Sequence, residues 1–180
     1  MSKVLVVSTS LRAKSNSDIL TERLIAGAAD AGHQVEHVSL KGKTIQFCKG
    51  CLACQKTQKC VLNDDANIIA EKALAADTLV FVTPIYYYEM SGQMKTLLDR
   101  LNPLYPSDYQ FRNVYMMSVA AEDDLNVPER AVNGLQGWVE CFGKASFAGS
   151  LFCGGINDPG EAAGRTDVQE RAYDYGRGLR

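Results

Sequence analysis

Thr78-Leu79-Val80-Phe81-Val82-Thr83-Pro84-Ile85-Tyr86-Tyr87-Tyr88 is the stretch on which the fold turns. Leu79 to Val82 is an unbroken apolar run, and such a run reads as a strand buried on both faces of a parallel sheet. Val4-Leu5-Val6-Val7 repeats the pattern near the start of the chain. Each run leads into a segment of different chemistry: Ser8-Thr9-Ser10-Leu11-Arg12-Ala13-Lys14-Ser15-Asn16-Ser17 after the first, and Thr83 to Tyr88 after the second. Both segments stand where a buried parallel strand ends and a helix begins, the edge at which open α/β sheets bind ligands.

Working outward, short β-rich runs alternate with longer amphipathic ones, without internal repeats or low-complexity segments. Asn16 or Ser17 can cap a helix with apolar positions Ile19, Leu20, Leu24, Ile25 and Ala28, ending near Gly32. Gln34 to Leu40 reads as a second strand, and Asp64 or Asp65 caps a helix that runs to about Ala75. Ser91 to Leu101 is helical, with Met94, Leu97, Leu98 and Leu101 on one face. Val114 to Ala120 and Ala145 to Phe152 are further strands; Pro128 to Phe142 is a helix carrying the only Trp, Trp138, and the chain closes in a helix beyond Ala163. Five strands with right-handed crossovers predict an α/β three-layer sandwich, a flavodoxin-like five-stranded parallel sheet in order 2-1-3-4-5. That order brings the ends of the first and third strands together, so the two segments line one crevice.

Composition bounds the function. At 180 residues, 46% hydrophobic and 22% charged, one core and a single domain over residues 1–180 are expected. A net charge of -2 with scattered Lys and Arg offers no basic stripe for a nucleic acid backbone, so no nucleic acid partner is expected. No apolar run approaches the roughly 20 residues needed to cross a bilayer, and Met1-Ser2-Lys3 leads straight into a strand, so a cytoplasmic protein with no membrane partner is expected.

A phosphate needs backbone N–H donors at a helix N-terminus and short polar side chains that approach closely. Ser8, Thr9, Ser10, Ser15, Asn16 and Ser17 supply those and Arg12 a charge; the triphosphate and dinucleotide glycine motifs are both missing, so a monophosphate is the better match. An ordinary polar β-α turn would look similar. The run Tyr86-Tyr87-Tyr88 beside the same crevice adds aromatic faces, which suit a planar ring such as an isoalloxazine, although three consecutive side chains cannot all face one ligand. His33 and His37 lie around the second strand, away from the crevice, and Cys141 and Cys153 read as small buried hydrophobes.

Thr9-Ser10-Leu11-Arg12 with Ser15-Asn16-Ser17, then Thr83-Pro84-Ile85-Tyr86-Tyr87-Tyr88-Glu89-Met90-Ser91-Gly92-Gln93-Met94-Lys95 and Asp99-Arg100, resembles the NADPH-dependent FMN reductase family of flavodoxin-like proteins. Where that family usually carries Gly-Ser-Pro-Arg, this chain has Thr9-Ser10-Leu11-Arg12. The resemblance implies noncovalent FMN, with NAD(P)H as cosubstrate and a small-molecule electron acceptor such as free flavin, a quinone or a nitro compound. It places Ser10, Arg12, Ser15, Asn16 and Ser17 at the phosphate and Pro84, Ile85, Tyr86 and Tyr87 at the flavin. The loop Ala120-Ala121-Glu122-Asp123, through Ala121 and Glu122, would close on the ring's other side. No catalytic side chain is expected, since the flavin carries the chemistry. The resemblance also implies a homodimer or homotetramer, for which Tyr88, Met90, Tyr105 and Tyr109 offer apolar surface.

Cys48, Cys51, Cys54 and Cys60 fall within 13 residues, and the first three spacings match the C-x2-C-x2-C of bacterial ferredoxins. The run resembles that of the iron-sulfur flavoproteins, relatives of the same reductases that hold a [4Fe-4S] cluster beside FMN. Three occupants stay open: that cluster, zinc, or none, with the cysteines as free thiols. Three functions follow. An NAD(P)H oxidoreductase turns over with an added acceptor, an iron-sulfur electron-transfer protein is reduced by ferredoxin, and a flavin-binding redox or metal sensor binds flavin with negligible turnover.

Overall fold

Residues 1–180 are described by a computed structural model. The strands are β1 (Lys3–Ser8), β2 (Gln34–Ser39), β3 (Thr78–Tyr86), β4 (Glu89–Met90), β5 (Asn113–Val119) and β6 (Ser146–Cys153). The helices are α1 (Asn16–Asp30), α2 (Ala53–Thr57), α3 (Asp65–Ala75), α4 (Gly92–Arg100), α5 (Glu129–Val139) and α6 (Thr166–Arg177). Along β1 and β3 every residue is buried from Val4 to Val7 and from Leu79 to Val82, and alternate side chains enter opposite cores. Leu5, Val7, Leu79 and Phe81 pack with residues of α3, α4 and α5. Val4, Val6, Val80 and Val82 pack with residues of α1 and α6. Two helical layers thus cover one sheet, as the continuous apolar runs require.

The main sheet runs β2-β1-β3-β5-β6, all parallel, which is the expected five-strand order once the extra strand β4 is set aside. β4 pairs antiparallel with the end of β3, Ile85 opposite Met90 and Tyr86 opposite Glu89. The tyrosine run is therefore a β-hairpin. Met90 faces inward, and its Cε would lie 3.0 Å from a Cβ at Gly134 of α5. This corrects the expectation that Met90 and Tyr109 belong to an interaction surface, since both are core residues; Tyr88 and Tyr105 are exposed. Cys141 is exposed, against expectation, because α5 ends at Val139 and leaves it in the turn that follows. Cys153, fully buried at the end of β6, has its thiol pushed up to about 11 by desolvation.

The two central residues of the hairpin, Tyr87 and Tyr88, both have positive φ, 53° and 65°. Two-residue hairpin loops of this kind ordinarily carry Asn-Gly, and a β-carbon there costs about 1–2 kcal/mol per residue. Replacing Tyr87 by Asn together with Tyr88 by Gly is expected to stabilise the protein by about 1 kcal/mol or more in urea denaturation. A lower midpoint at unchanged slope would show instead that the tyrosines pack at the tip.

On the other face, α1 and α6 approach at two glycines. A Cβ at Gly27 would lie 1.9 Å from the Tyr173 carbonyl oxygen, and one at Gly176 would lie 2.0 Å from that of Leu24.

Candidate functional site

At the carboxyl edge of the sheet four loops join into a ring. The first loop leaves β1 at Ser8 and enters α1, whose N-cap is Ser15 rather than Asn16 or Ser17; the Ser15 hydroxyl accepts the Asp18 N–H. Thr9 ties this loop to the hairpin, donating its hydroxyl to the Val82 carbonyl at 3.0 Å and lying 3.0 Å from the Ser91 hydroxyl. Ser91 also caps α4 and meets Thr83, so three buried hydroxyls fix the hairpin's root. At the hairpin's tip, the Tyr88 hydroxyl donates to the Glu122 carboxylate at 3.2 Å, reaching the loop after β5. That loop is held in turn by the Gly155 N–H on Glu122 and the Ile156 N–H on Ala120. Gly154 is required here, because a Cβ would sit 2.6 Å from the Glu122 carbonyl oxygen. The ring closes where Arg12 donates to the Asn157 carbonyl at 2.7 Å and Asn16 bonds both Asp158 and the Ala162 N–H.

Ser10, Ser15, Asn16 and Ser17 are buried beneath the first loop, while Arg12 is exposed above it. The Asn16 amide is committed to the 157–162 loop, which places it as a brace rather than a free donor. Neither the Asn16 nor the Ser17 backbone N–H meets an acceptor within the chain, so the amino end of α1 presents donors and a favourable dipole. Asp18, the one acidic residue in that turn, is paired with Lys41, which removes its repulsion for an anion. Such a donor set is chemically suited to an anion. Pro84 and Ile85 are half-buried, Tyr86, Ala121 and Glu122 exposed, and Tyr87 at the tip is 98% exposed. His37 joins the periphery, its ring nitrogen 3.0 Å from the Ser8 hydroxyl; its pKa lies below the ordinary value because desolvation outweighs the pull of Asp18 and Glu22. The fourth loop, residues 154–165, was not among the expected site segments. Its signal in the chain is the turn-forming cluster Asn157-Asp158-Pro159-Gly160.

The cysteine loop lies beyond a cleft of about 390 Å³ lined by Leu11, Leu40, Ile45, Phe47, Gly92 and Gln93. Cys48 and Cys51 are exposed, Cys60 half-buried and Cys54 buried, yet all four line one small void of about 20 Å³. No three of them are gathered closely enough to hold a metal ion. Arg100 anchors the loop at both ends. Its guanidinium, fully buried, grips Asp64 at 2.7 and 2.8 Å and donates to the carbonyls of Gln46 and Leu62. Asp64 also caps α3 and accepts the Gln46 N–H.

Desolvation works against the Asp64 carboxylate, but the hydrogen bonds from Arg100, Gln46 and Ala66 together outweigh it and hold the group below the usual carboxylate range. Because the folded-state pKa is the lower one, the stabilisation is full above the unfolded-state value of about 3.9 and is lost as pH falls through the folded-state value. Asp64→Asn is therefore expected to flatten the acid limb of stability below about pH 4. Urea melts across that range check this, and an unchanged slope would remove Asp64 from the account.

No helix is long and apolar enough to cross a membrane. Among solved structures, an NAD(P)H:quinone oxidoreductase from Methanothermobacter marburgensis superposes with a TM-score of 0.79 at 20% identity, covering 99% of this chain and 96% of that one, a likeness of fold. An iron-sulfur flavoprotein of Methanocaldococcus jannaschii is 30% identical over 172 residues, 96% of this chain and 86% of the relative. Another, of Methanosarcina thermophila, is 26% identical over 94% of this chain and 91% of the relative. The sequence model of the NADPH-dependent FMN reductases matches residues 2–150, from β1 into the first half of β6 and including three of the four loops of the ring. On that match the chain belongs to the NADPH-dependent FMN reductase family and is an FMN-dependent NAD(P)H oxidoreductase.

Proposed function

We propose that residues 1–180 act as one domain whose ring of four loops holds FMN and relays electrons from NAD(P)H to a small acceptor, a free flavin, quinone or nitro compound, in the cytoplasm. The observation that carries this is the pair of unpartnered N–H groups at the amino end of α1, set over buried Ser10, Ser15 and Ser17 and flanked by Arg12. Those groups suit a phosphomonoester, the one anionic end of FMN. When bound, the flavin supplies hydride acceptance and electron release. The chain's own part is placement. Pro84, Ile85 and Tyr86 bound one side of the ring, Tyr86 with an aromatic face, and Ala121 and Glu122 bound the other. The strained tip at Tyr87 and Tyr88 fits this reading, because backbone strain of this kind clusters where function demands it. Tyr87 at the hairpin tip and Tyr105 beyond the end of α4, both exposed, suit an interface with a second copy of the chain.

Stopped-flow mixing of the FMN-loaded protein with NADPH, then with a water-soluble quinone, tests the relay. Bleaching of the flavin band by NADPH and its return on adding quinone are expected; a flavin that NADPH leaves oxidised would overturn the reading.

A second reading is favoured by the void that all four cysteines share. Cys48, Cys51, Cys54 and Cys60 then hold a [4Fe-4S] cluster, a one-electron store that a ferredoxin could fill. Their thiolates match the ligand set, and the Asn102 amide supplies an N–H at the Cys54 sulfur.

A further inference from the structure

The cleft of about 390 Å³ between the ring of loops and the cysteine loop has no part in the site described so far. Its floor is Leu40, buried just past β2, and Ile45, which packs against the core that α3 and α4 cover. Its walls are Leu11 of the first loop and Phe47, which leave 52% and 79% of their surface in water. Two large apolar side chains exposed on one concavity mark a surface that gains from being covered. The Phe47 wall is held in place. Thr44 and Gln46 donate their N–H groups to Asp65 and Asp64 at 2.8 and 2.9 Å, and the Gln46 carbonyl accepts from the buried Arg100. A cleft formed in advance binds a ligand with little loss to ordering.

Donors stand on the α4 side. Gly92 and Gln93 open that helix, and neither backbone N–H meets an acceptor within the chain. Thr96, one turn further along, adds a hydroxyl. The lining holds no carboxylate, and its single charge is the Lys43 ammonium, 3.3 Å from Asp65. Apolar walls, an aromatic face and N–H donors along one edge suit a flat aromatic molecule that carries carbonyl oxygens. A polyhydroxylated chain, such as free flavin carries, would be left without partners against Leu11 and Phe47.

We propose that this cleft seats the electron acceptor and that the acceptor it selects is a quinone. The acceptor's role rests on the electron relay proposed above; the affinity for a planar aromatic carbonyl compound rests on the cleft's chemistry alone. The cleft adjoins the flavin site at two points: Leu11 lies between Ser10 and Arg12, and Gly92 follows Ser91, which fixes the hairpin's root. The quinone becomes a hydroquinone by gaining two electrons and two protons, supplied as one hydride from NAD(P)H and one proton from water. Negative charge builds on its oxygens as the electrons arrive, and N–H groups aimed there then bind more strongly.

The test uses the FMN-loaded full chain. Anthraquinone-2-sulfonate, a flat dicarbonyl that does not add thiols, is titrated into the oxidised protein by isothermal calorimetry. Phe47→Ala removes the exposed aromatic wall, and Gly92→Leu fills the cleft; a Cβ at Gly92 meets nothing within 4 Å, so the backbone accepts the side chain. Near-ultraviolet circular dichroism and FMN affinity, both expected unchanged, check the fold. Wild-type binding at one site is expected, with affinity about tenfold weaker in Phe47→Ala and weaker still in Gly92→Leu. Turnover reads the acceptor role. KM for duroquinone, whose fully substituted ring is also inert to thiols, should rise by similar factors, while the rate with ferricyanide, which needs no apolar pocket, holds. Weakened probe binding in both variants with a flavin that NADPH leaves oxidised would end the relay and leave the cleft's affinity for aromatic carbonyls standing. Equal probe affinity in wild type and both variants, no binding by the wild type, or displacement of the probe by an equal concentration of riboflavin would overturn the assignment. An unmoved KM for duroquinone in variants that bind the probe weakly would overturn the acceptor role.

Discussion

Arg100→Ala is expected to lower stability by about 3–5 kcal/mol, the cost of leaving one member of a buried ion pair alone. The pair has no outlet to water: side-chain exposure is 0% for Arg100 and 3% for Asp64. Removing the guanidinium strands a carboxylate that caps α3 and receives the Gln46 N–H, and it frees the carbonyls of Gln46 and Leu62 at the two ends of the cysteine loop. The loss is therefore local as well as global. Between Gln46 and Asp64 the chain forms little regular structure beyond the five residues of α2, which is flanked by left-handed Leu52 and Gln58. Hydrogen exchange should rise across residues 46–64 before the rest of the variant unfolds. Arg100→Lys keeps a charge but cannot repeat the two-pronged grip, so an intermediate loss is expected. A urea-derived change below about 1 kcal/mol for Arg100→Ala would contradict the clamp.

Gly176→Val should be of similar size, about 3 kcal/mol or more, for a different reason. Even a methyl group there would meet the Leu24 carbonyl carbon and oxygen at 2.8 and 2.0 Å, and those are backbone atoms of α1 that no rotamer change can move aside. The helices must part. The effect reaches the site, because residues 157–162, which lead into α6, hold Arg12 and Asn16 of the first loop. FMN affinity is thus expected to fall along with stability. Gly137→Ala is the matched control: its Cβ would meet nothing within 4 Å, and in the last turn of α5 the change should stabilise by up to about 1 kcal/mol. Equal effects for the two substitutions would refute the close α1–α6 crossing.

The sheet was legible because its evidence is local and redundant. Val4 to Val7 and Leu79 to Val82 are apolar on both faces, and only a covered parallel sheet accommodates two such runs side by side. The first and second site segments were legible for the same reason, since each follows directly on such a strand. What escaped detection depends on partners far along the chain. Asn16 looked like a helix cap by type, but its amide is claimed by residues 142 and 146 positions away, and Ser15 caps instead. The fourth loop carries no motif that names its role. The hairpin was hidden because Tyr87-Tyr88 violates the turn chemistry that would have announced it. Cys48, Cys51, Cys54 and Cys60 stood out as a pattern, whereas the Arg100 clamp that anchors their loop is a contact across 36 residues with no spacing rule behind it.

The central claim is that the amino end of α1 receives a phosphate within a flavin site, and equilibrium titration of the apoprotein with FMN and with riboflavin, read by flavin fluorescence, tests it most directly. The two ligands share the ring and differ in the phosphate alone. FMN should bind and riboflavin should bind at least about 100-fold more weakly, about 2.8 kcal/mol, the worth of one or two charge-assisted hydrogen bonds. Equal affinities, or no binding of FMN, would contradict the account.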